Sequence, residues 1–189
     1  MRTLILKMSM SIDGFVGAPN GDLGWVFANR SDESTRWIVD SISRAGVHIM
    51  GSTTFRAMAA HWPTATDAFA RPMNEIPKLV FSRSGTPLVS DAVTSPTWTN
   101  ARVASGPLAD EIAQLKRESG GPIIAHGGAS FAQSLVREGL IDQYELVVHP
   151  VALGRGLPLF STLGDPRRLE LVDLTRFKTG ALGVVYTPR

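Results

Sequence analysis

Residues 123–160 read IIAHGGASFAQSLVREGLIDQYELVVHPVALGRGLPLF, and this stretch decides the fold class. It begins with a short apolar run at 123–126, which predicts a buried strand. Two glycines follow directly, and residues 130–138 have the apolar spacing of a helix that a glycine ends. A second strand is predicted at 144–153, where Pro150 suggests a sheet edge or a bulge. Strand, helix and strand in this order form the unit from which parallel sheets are built.

Strand and helix patterns alternate along the rest of the chain as well. Residues 61–77 hold three prolines and are predicted to be a long loop, and residues 169–187 have the pattern of a β-hairpin. We therefore expect an α/β fold with helices on both faces of a parallel sheet that ends in an antiparallel hairpin at one edge. The remaining strands are predicted at 3–12, 47–50 and 78–82, with 97–103 as a further candidate, and the remaining helices at 31–45 (capped by Ser31), 51–60 and 107–119.

The composition is that of an ordinary globular chain. Of 189 residues, 43% are hydrophobic and 19% charged, which excludes a disordered protein, and the length predicts one domain over 1–189. The absence of cysteine excludes disulfides, thiolate metal ligands and a cysteine nucleophile. A net charge of +2 is too balanced for nucleic-acid binding by charge alone. Because no run of residues has the pattern of a membrane span or a signal peptide, we expect a cytoplasmic protein with no membrane partner.

The segment IMGSTTF at residues 49–55 predicts a first anion-binding position. A buried strand ends at Gly51, and Ser52, Thr53 and Thr54 follow at the start of a helix. The free N–H groups of a first helical turn attract anions, and neighbouring hydroxyl groups supply further hydrogen-bond donors. The alternative is that Ser52 only caps its own helix.

The pair Gly127 and Gly128 predicts a second anion-binding position, because it joins a strand directly to a helix. Glycines let a pyrophosphate approach the backbone closely, and the dipole of the following helix favours its negative charge. The alternative is a tight turn with a positive φ angle, although a single glycine would satisfy that requirement.

A third anion-binding position is indicated by VFSRS at residues 80–84. Arg83 lies between Ser82 and Ser84, directly after a predicted strand. A guanidinium beside hydroxyl groups suits a phosphate monoester, such as the 2′-phosphate that distinguishes NADP from NAD. A solvated loop arginine is the alternative. Because ligands of open α/β sheets bind beyond the carboxyl ends of the strands, we expect the three positions to lie at one edge of the sheet.

Other motifs of known chemistry are absent or ambiguous. The chain has no GxGxxG, P-loop lysine or GxSxG motif, and its four histidines lack the spacing of metal ligands. His126 borders the glycine pair and is expected to line a pocket. Asp13 ends the first strand, where it either faces the site or caps the turn at Gly14. Trp25 either covers a flat ring or packs in the core.

Taken together, these motifs resemble a known family. The segments MSMSIDGFVG (8–17), MGSTTF (50–55), LVFSRS (79–84) and 123–160, with the terminal hairpin, are similar to the dihydrofolate-reductase-like superfamily. Within it, the chain resembles the reductase domain of bacterial bifunctional riboflavin-biosynthesis deaminase/reductases, the RibD C-terminal domain family, as a stand-alone member. The resemblance implies a three-layer α/β/α fold with a mixed, mostly parallel sheet.

The resemblance also implies an NADPH-dependent reductase, similar to the 5-amino-6-(5-phosphoribosylamino)uracil reductase of riboflavin biosynthesis. Such an enzyme transfers a hydride to a C=N bond or a ribosyl carbon of a pyrimidine- or pterin-like heterocycle. The alternatives are a reductase of folate or of another small molecule, and a non-catalytic NADP-binding module. A homodimer is expected, because related reductases pair and because residues 144–153 offer more apolar side chains than one small core needs.

The resemblance assigns residues to three parts of the cofactor. The glycine turn and the 51–54 segment are implied to contact the phosphates. The Gly–Gly bond of this turn is often cis in the family. The 82–83 segment is implied to lie near the adenosine 2′-phosphate. The first strand and loop flank the nicotinamide. The implied cofactor-binding residues are Met10, Ile12, Val16, Trp25, Gly51, Ser52, Thr53, Thr54, Ser82, Arg83, Gly127, Gly128, Ala129, Ser130 and Phe131.

Two departures from the family pattern concern the substrate. Ser34 stands where folate-reducing relatives carry an acid on the first helix, with Asp32 and Glu33 close by. His126 stands where the riboflavin enzymes have a glutamate that helps to hold the substrate. The candidate proton donors are Asp32, Asp13 and water, and the candidate substrate contacts are Arg36 and His126.

Arg83→Ala is expected to weaken NADPH binding by about 10- to 150-fold and to leave NADH binding nearly unchanged. A charge-assisted arginine–phosphate contact contributes about 1.5–3 kcal/mol, and about 1.4 kcal/mol corresponds to tenfold in affinity. Titration of both cofactors against both proteins measures the difference, and added salt should reduce the wild-type preference for NADPH. Equal weakening of the two cofactors would assign Arg83 to the fold or to the shared part of the cofactor.

Overall fold

The computed structural model describes residues 1–82 and 95–189, whose eight strands form a mixed sheet in the order β4-β3-β2-β5-β1-β6-β8-β7. From β4 to β6 the neighbouring strands are parallel, and β8 and β7 add the antiparallel hairpin at one edge, as predicted. The strands are β1 (Leu4–Ser11), β2 (Val47–Gly51), β3 (Lys78–Phe81), β4 (Arg102–Val103), β5 (Ile123–Ala125), β6 (Gln143–His149), β7 (Leu169–Arg176) and β8 (Leu182–Pro188).

Helices cover both faces of the sheet, because alternate residues of each strand face two separate apolar cores. The helices are α1 (Gly24–Ala28), α2 (Asp32–Ser43), α3 (Ser52–His61), α4 (Ala70–Glu75), α5 (Pro96–Thr99), α6 (Leu108–Arg117) and α7 (Ala129–Arg137). On one face Leu4 packs in a cluster with Ile112 of α6 and Leu135 of α7. On the other face Ile5 belongs to a cluster with Phe55 of α3. None of the described helices is long and apolar enough to cross a bilayer.

The helix predicted at 31–45 begins as expected. Ser31 is the N-cap of α2, and its hydroxyl accepts the N–H of Ser34 at 3.2 Å. The hydroxyl of Ser34 in turn accepts the N–H of Ser31 at 3.0 Å. This reciprocal capping satisfies two backbone donors and turns Ser34 inward, where it is 2% exposed.

Residues 61–77 are not the long loop that their prolines predicted. They contain a 3-10 turn at Trp62–Thr64 and the short helix α4. Pro72 is the third residue of α4, where a helical N–H has no intrahelical partner, so proline is tolerated. Phe69 and Met73 of the same segment are buried in the core that includes α3. Burial of these two side chains stabilises the packing of the segment on the rest of the domain. Local sequence propensity does not predict this burial.

The candidate strand at 97–103 is wrong in its first half. Trp98 lies in α5, packs against Phe55 with ring centroids 5.3 Å apart, and donates from Nε1–H to Asn74 Oδ1 at 2.8 Å. Only Arg102–Val103 forms a strand. The glycine-rich loop before α2 likewise contains a short helix, α1, that its composition did not predict.

Pro150 does not mark an edge strand or a bulge in β6. β6 lies inside the sheet between β1 and β8 and ends at His149, so Pro150 follows its last ladder position and removes no hydrogen bond from the sheet. The edge strand on this side of the sheet is β7, which exposes large apolar side chains: Leu171 by 49%, Val172 by 59% and Leu174 by 52%. The apolar surface expected on β6 therefore lies on β7, while the apolar side chains of β6 are mostly in the core.

Candidate functional site

Two helix N-termini meet at the carboxyl edge of the sheet. β2 and β5 are neighbours, so α3 and α7, which follow them, begin side by side. Gly51 is the N-cap of α3 and Gly128 that of α7, and neither helix start has a side-chain cap. The N–H of Gly51 donates to the carbonyl of Gly127 at 3.3 Å and joins the two turns. Free N–H groups of both first turns are thus available to an anion, beside Ser52, Thr53, Thr54, Ala129 and Ser130.

The glycines keep a cradle open between these helices. A Cβ atom on Gly128 would lie 3.0 Å from the Thr54 hydroxyl oxygen, and one on Gly127 would lie 2.9 Å from the terminal methyl of Met8. Gly127 has φ +85°, which favours glycine, whereas Gly128 has φ −65°, so only space requires glycine there. The Gly127–Gly128 peptide bond is cis, as the resemblance implied.

The third predicted anion position is described only in part. Phe81, the last residue of β3, stacks on Phe131 of α7 with ring centroids 5.0 Å apart, which brings the end of β3 to the same edge. Ser82 follows directly, and Arg83 lies outside the described residues. Ser52 is the first residue of α3 and not its N-cap, so helix capping does not account for its hydroxyl.

A cavity of about 250 Å³ lies between the sheet and helices α1 to α4. Its polar floor consists of Lys7 and Ser9 from β1, His126 after β5 and His149 from β6. Its walls are mainly apolar side chains of the four helices and the 3-10 turn. Among the described residues that line this cavity there is no carboxylate. His126 thus has the pocket position that the sequence predicted.

Lys7 is a buried cation in the polar floor. Its ammonium lies 3.7 Å from the Glu145 carboxylate and 3.5 Å from the centre of the Trp37 ring. Within the described part of the chain no hydrogen-bond partner satisfies Nζ. Burial lowers the pKa of Lys7 to about 7, Arg44 adds to the shift, and Glu145 opposes it. Near neutral pH, Lys7 can therefore hold a proton or release it.

Glu145 is fixed beside Lys7 by other donors. The Ser41 hydroxyl donates to Oε2, and the Gln143 amide donates to Oε1 at 2.8 Å. At 3.7 Å the ammonium is beyond hydrogen-bond distance of this carboxylate. Sequence reasoning missed Lys7, although a signal was available: it is a cation on the central strand of a sheet that both helix layers cover.

His126 pairs with a second histidine that lies beneath the cavity. Its Nε2 is 2.7 Å from Nδ1 of His48, and Nε2 of His48 is 3.3 Å from the carbonyl oxygen of Pro72. Burial lowers the pKa of both imidazoles, that of His48 to about 3, and the Lys78 ammonium adds to both shifts. Both rings are therefore neutral at physiological pH.

His149 and Trp25 form another part of this region. His149 Nε2 lies 3.2 Å from the Ser9 hydroxyl, and its ring meets Trp25 edge-on with centroids 5.4 Å apart. Burial lowers the pKa of His149. The Nδ1 of His149 and the Nε1–H of Trp25 are buried without a hydrogen-bond partner among the described residues. Since buried polar groups are rarely left unpaired, these two atoms are available to a water molecule or to a polar ligand.

Asp13 does not face the cavity. It accepts the Ser11 hydroxyl at 2.6 Å and the N–H groups of Leu153 and Gly154 at 3.1 and 2.7 Å, so it fastens the loop after β6 and not the turn at Gly14. The Ser11 hydrogen bond holds the pKa of Asp13 below its usual range. The Asp13 carboxylate therefore has a structural role on the exposed side of the domain.

The other polar candidates divide between the cavity and the surface. Asp32 and Arg36 are exposed on α2 and are not part of the cavity lining. Ser34, between them on the same helix, lines the cavity, and Arg30 supplies a cation to the lining that the sequence did not predict.

The three residues predicted to flank a nicotinamide also differ in position. Val16 lines the cavity, Met10 packs beside the core on the other face, and Ile12 is 67% exposed at the end of the strand.

Comparison with known proteins decides the family. The sequence profile of the RibD C-terminal domain matches residues 2–182. The chain belongs to the RibD C-terminal domain family. Among its relatives is the uncharacterized protein YyaP of Bacillus subtilis strain 168, which is 27% identical over 185 residues, covering 98% of this chain and 94% of YyaP.

Solved structures similar to this RibD C-terminal domain share its fold. A putative riboflavin biosynthesis protein from Shewanella sp. PV-4 has a TM-score of 0.76 at 19% identity, over 99% of both chains. A diaminohydroxyphosphoribosylaminopyrimidine deaminase/5-amino-6-(5-phosphoribosylamino)uracil reductase from Thermotoga maritima has a TM-score of 0.67 at 16% identity, over 100% of this chain and 57% of that one. At these identities the likeness extends to the fold.

Proposed function

We propose that the protein is an NADPH-dependent reductase of a small heterocyclic compound, similar to the uracil-type reductases of its family. The observation that carries this proposal is the buried Lys7, which lines a cavity that adjoins the glycine cradle and whose ammonium has no hydrogen-bond partner among the described residues. Met8 links the two places, because it lines the cavity and its methyl also meets the space above Gly127. A cofactor held in the cradle can therefore reach the cavity.

The cradle suits the phosphates of NADPH. Two helix N-termini with free N–H groups favour a pyrophosphate, and a single added Cβ at Gly128 would fill the space it needs. Thr54 adds a hydroxyl donor beside Gly128. NADPH, when bound, supplies a hydride to the substrate.

The residues of the cavity would hold the substrate and supply the balancing proton. Addition of a hydride to the carbon of a C=N bond leaves charge on the nitrogen, and that nitrogen must take a proton. Lys7, with its pKa near 7, is the proton donor in this proposal, in place of Asp32 and Asp13, which lie elsewhere. His126, His149 and Ser34 contact the heterocycle, and the apolar walls exclude water.

Folate reduction is disfavoured by the composition of the cavity. Folate-reducing relatives carry an acid on the first helix, and the matching position here is Ser34, which is buried in the lining. Of the described lining residues none is a carboxylate, so no acid compensates.

Oxidation of NADPH in the presence of a panel of heterocycles tests the proposal. We expect turnover with pyrimidines or pterin-like compounds that carry a reducible C=N bond or a ribosyl group, and little with dihydrofolate. Tight binding of NADPH without turnover on any member of the panel would instead favour a non-catalytic NADP-binding module.

We also propose that the chain forms a homodimer through β7. Three large apolar side chains are exposed on this edge strand, and its outer edge has no strand partner among the described residues, which is the arrangement that favours pairing with a second copy. At micromolar concentration, sedimentation should give a dimer for the wild type and for a Ser161→Lys control. Leu174→Lys should give a monomer. A wild type that sediments only as a monomer would refute this proposal.

A further inference from the structure

A second, smaller cavity of about 130 Å³ lies on the face of the sheet that α6 and α7 cover. It is lined by Tyr144 of β6, by Phe160, Leu163 and Arg167 from the segment between β6 and β7, and by Leu169 at the start of β7. Tyr144 is buried and the other four residues are partly exposed, so the cavity is reached from the surface. It has room for several water molecules or for one small organic molecule.

This cavity is separate from the candidate active site. Tyr144 and His149 both belong to β6, but they are an odd number of positions apart and therefore face opposite sides of the sheet. Arg167 Nη1 donates to the carbonyl of Val136 at 2.9 Å, near the end of α7, whereas the glycine cradle lies at the start of that helix. The 9 residues of α7 place about 13 Å between its two ends.

Arg167 supplies a positive charge to this cavity. Its hydrogen bond to Val136 fixes the direction of the guanidinium. In the described part of the chain it forms no ion pair with a carboxylate. A guanidinium carries several N–H donors in one plane, in a geometry that matches a carboxylate, and the Val136 carbonyl uses one of these groups. Arg167 can therefore bind an anion without leaving α7.

The hydroxyl of Tyr144 is the second polar group beside the cavity. The Tyr144 ring is buried, lies near the Phe160 ring with centroids 6.0 Å apart, and its hydroxyl has no hydrogen-bond partner among the described residues. Burial raises the pKa of this hydroxyl, and the nearby Arg167 guanidinium opposes the shift. The hydroxyl thus keeps its proton at neutral pH, and Arg167, which has donors only, cannot accept it.

A ligand with an acceptor and an apolar part complements this cavity. The Tyr144 O–H and the remaining N–H groups of Arg167 are all donors, so a negatively charged acceptor satisfies them and balances the charge. The other lining residues, Phe160, Leu163 and Leu169, are apolar. A short hydrocarbon chain fits between them, whereas a second charge on the ligand would be desolvated against these walls.

We propose that this cavity is a binding site for a short-chain monocarboxylate, whose carboxylate pairs with Arg167 beside the Tyr144 hydroxyl and whose hydrocarbon chain packs among the apolar walls. The inference is independent of the proposed reductase activity, because no residue of this cavity belongs to the glycine cradle or lines the larger cavity. A failure of either proposal therefore leaves the other intact.

The first test is titration with butanoate, followed by NMR of protein labelled in the leucine methyl groups. We expect the signals of Leu163 and Leu169 to shift and to saturate at millimolar concentration, to the same extent with and without NADPH. Butanamide, which has the same shape without the charge, should bind about 10- to 150-fold more weakly. Acetate should bind about 15-fold more weakly, because it lacks two buried methylene groups.

Three results of this titration would overturn the proposal. The first is the absence of shifts at Leu163 and Leu169 at millimolar butanoate. The second is equal affinity for butanoate and butanamide, which would show that Arg167 does not hold the carboxylate. The third is equal affinity for butanoate and inorganic phosphate, which would show an anion site to which the apolar walls contribute nothing.

The second test compares variants of the charged and apolar parts of the site. Arg167→Gln should weaken butanoate by about 10- to 150-fold, and Arg168→Gln is the matched control, since Arg168 is exposed and does not line the cavity. Leu163→Trp leaves Arg167 and Tyr144 in place but fills the cavity, so it should abolish binding. Wild-type affinity in folded Arg167→Gln or Leu163→Trp would overturn the proposal.

Tyr144→Phe separates a ligand contact from a structural role. Because the hydroxyl has no partner among the described residues, its removal should leave the melting temperature of the ligand-free protein unchanged or higher. The same variant should weaken butanoate by about 2- to 10-fold, the value of one neutral hydrogen bond. A lower melting temperature with unchanged butanoate affinity would show that the hydroxyl serves the fold and would overturn its part in the site.

Discussion

Lys7→Met is expected to lower NADPH-dependent turnover by about 10²- to 10⁴-fold, the contribution typical of a positioned general acid. The side chain is buried in the floor of the cavity, and methionine fills a similar volume without a proton to donate. NADPH affinity should change little, since the cofactor phosphates are proposed to bind at the glycine cradle. Stopped-flow oxidation of NADPH and a separate cofactor titration measure the two effects.

The pH profile distinguishes proton donation from a structural effect. Lys7 has its pKa lowered to about 7, so its ammonium form is present below that pH and is lost above it. Turnover should therefore fall as pH rises through about 7, and this limb should be missing in Lys7→Met. A wild-type rate that stays constant from pH 6 to 9, at saturating substrate, would contradict the assignment.

Two further variants control for folding. Lys78 is a second buried lysine, and burial lowers its pKa to about 7. Unlike Lys7, it donates from Nζ to the Thr97 hydroxyl at 3.0 Å and does not line the cavity. Lys78→Met should keep its turnover. Lys7→Arg keeps a positive charge beside Glu145 but does not release a proton near neutral pH, so it should be inactive and still fold.

Gly128→Val is expected to weaken NADPH binding by about 10²- to 10⁴-fold while the chain remains folded. The φ angle of −65° at Gly128 is one that valine can adopt, so the backbone is not strained. The Cβ atom of the valine would lie 3.0 Å from the Thr54 hydroxyl oxygen. The valine side chain would therefore occupy the space proposed for the phosphates. Loss of two charge-assisted hydrogen bonds, each about 1.5–3 kcal/mol, accounts for the magnitude.

Gly164→Val is the matched control for this prediction. Gly164 is exposed and nothing lies within 4 Å of a Cβ atom built on it, so the same substitution there should leave NADPH affinity and thermal stability unchanged. Fluorescence titration of NADPH against the three proteins measures the difference. Wild-type affinity in a folded Gly128→Val protein would show that the cradle does not hold the cofactor.

Local sequence patterns predicted those parts of the fold that depend on residues close together in the chain. Alternation predicted β1, the apolar runs predicted β2, β3 and β5, and Ser31 predicted the start of α2. The glycine pair predicted the approach of two helix starts, because a strand followed at once by a helix turns at the carboxyl edge of a parallel sheet. These features depend on steric and hydrogen-bonding preferences within a few residues.

The sequence by itself determined the α/β class, the mixed sheet with its terminal hairpin, and the glycine positions of the cradle. Only the tertiary structure decided that α4 forms despite Pro72 and that β6 is an interior strand. The tertiary structure also decided that Lys7 and His126 lie in the polar floor of the cavity, beside Glu145 and His48 respectively. Residues 7 and 145 are 138 positions apart in the chain, and residues 48 and 126 are 78 apart. The pKa values of a lysine and of a histidine depend on burial and on such distant neighbours, which strand pairing brings together and no local pattern contains.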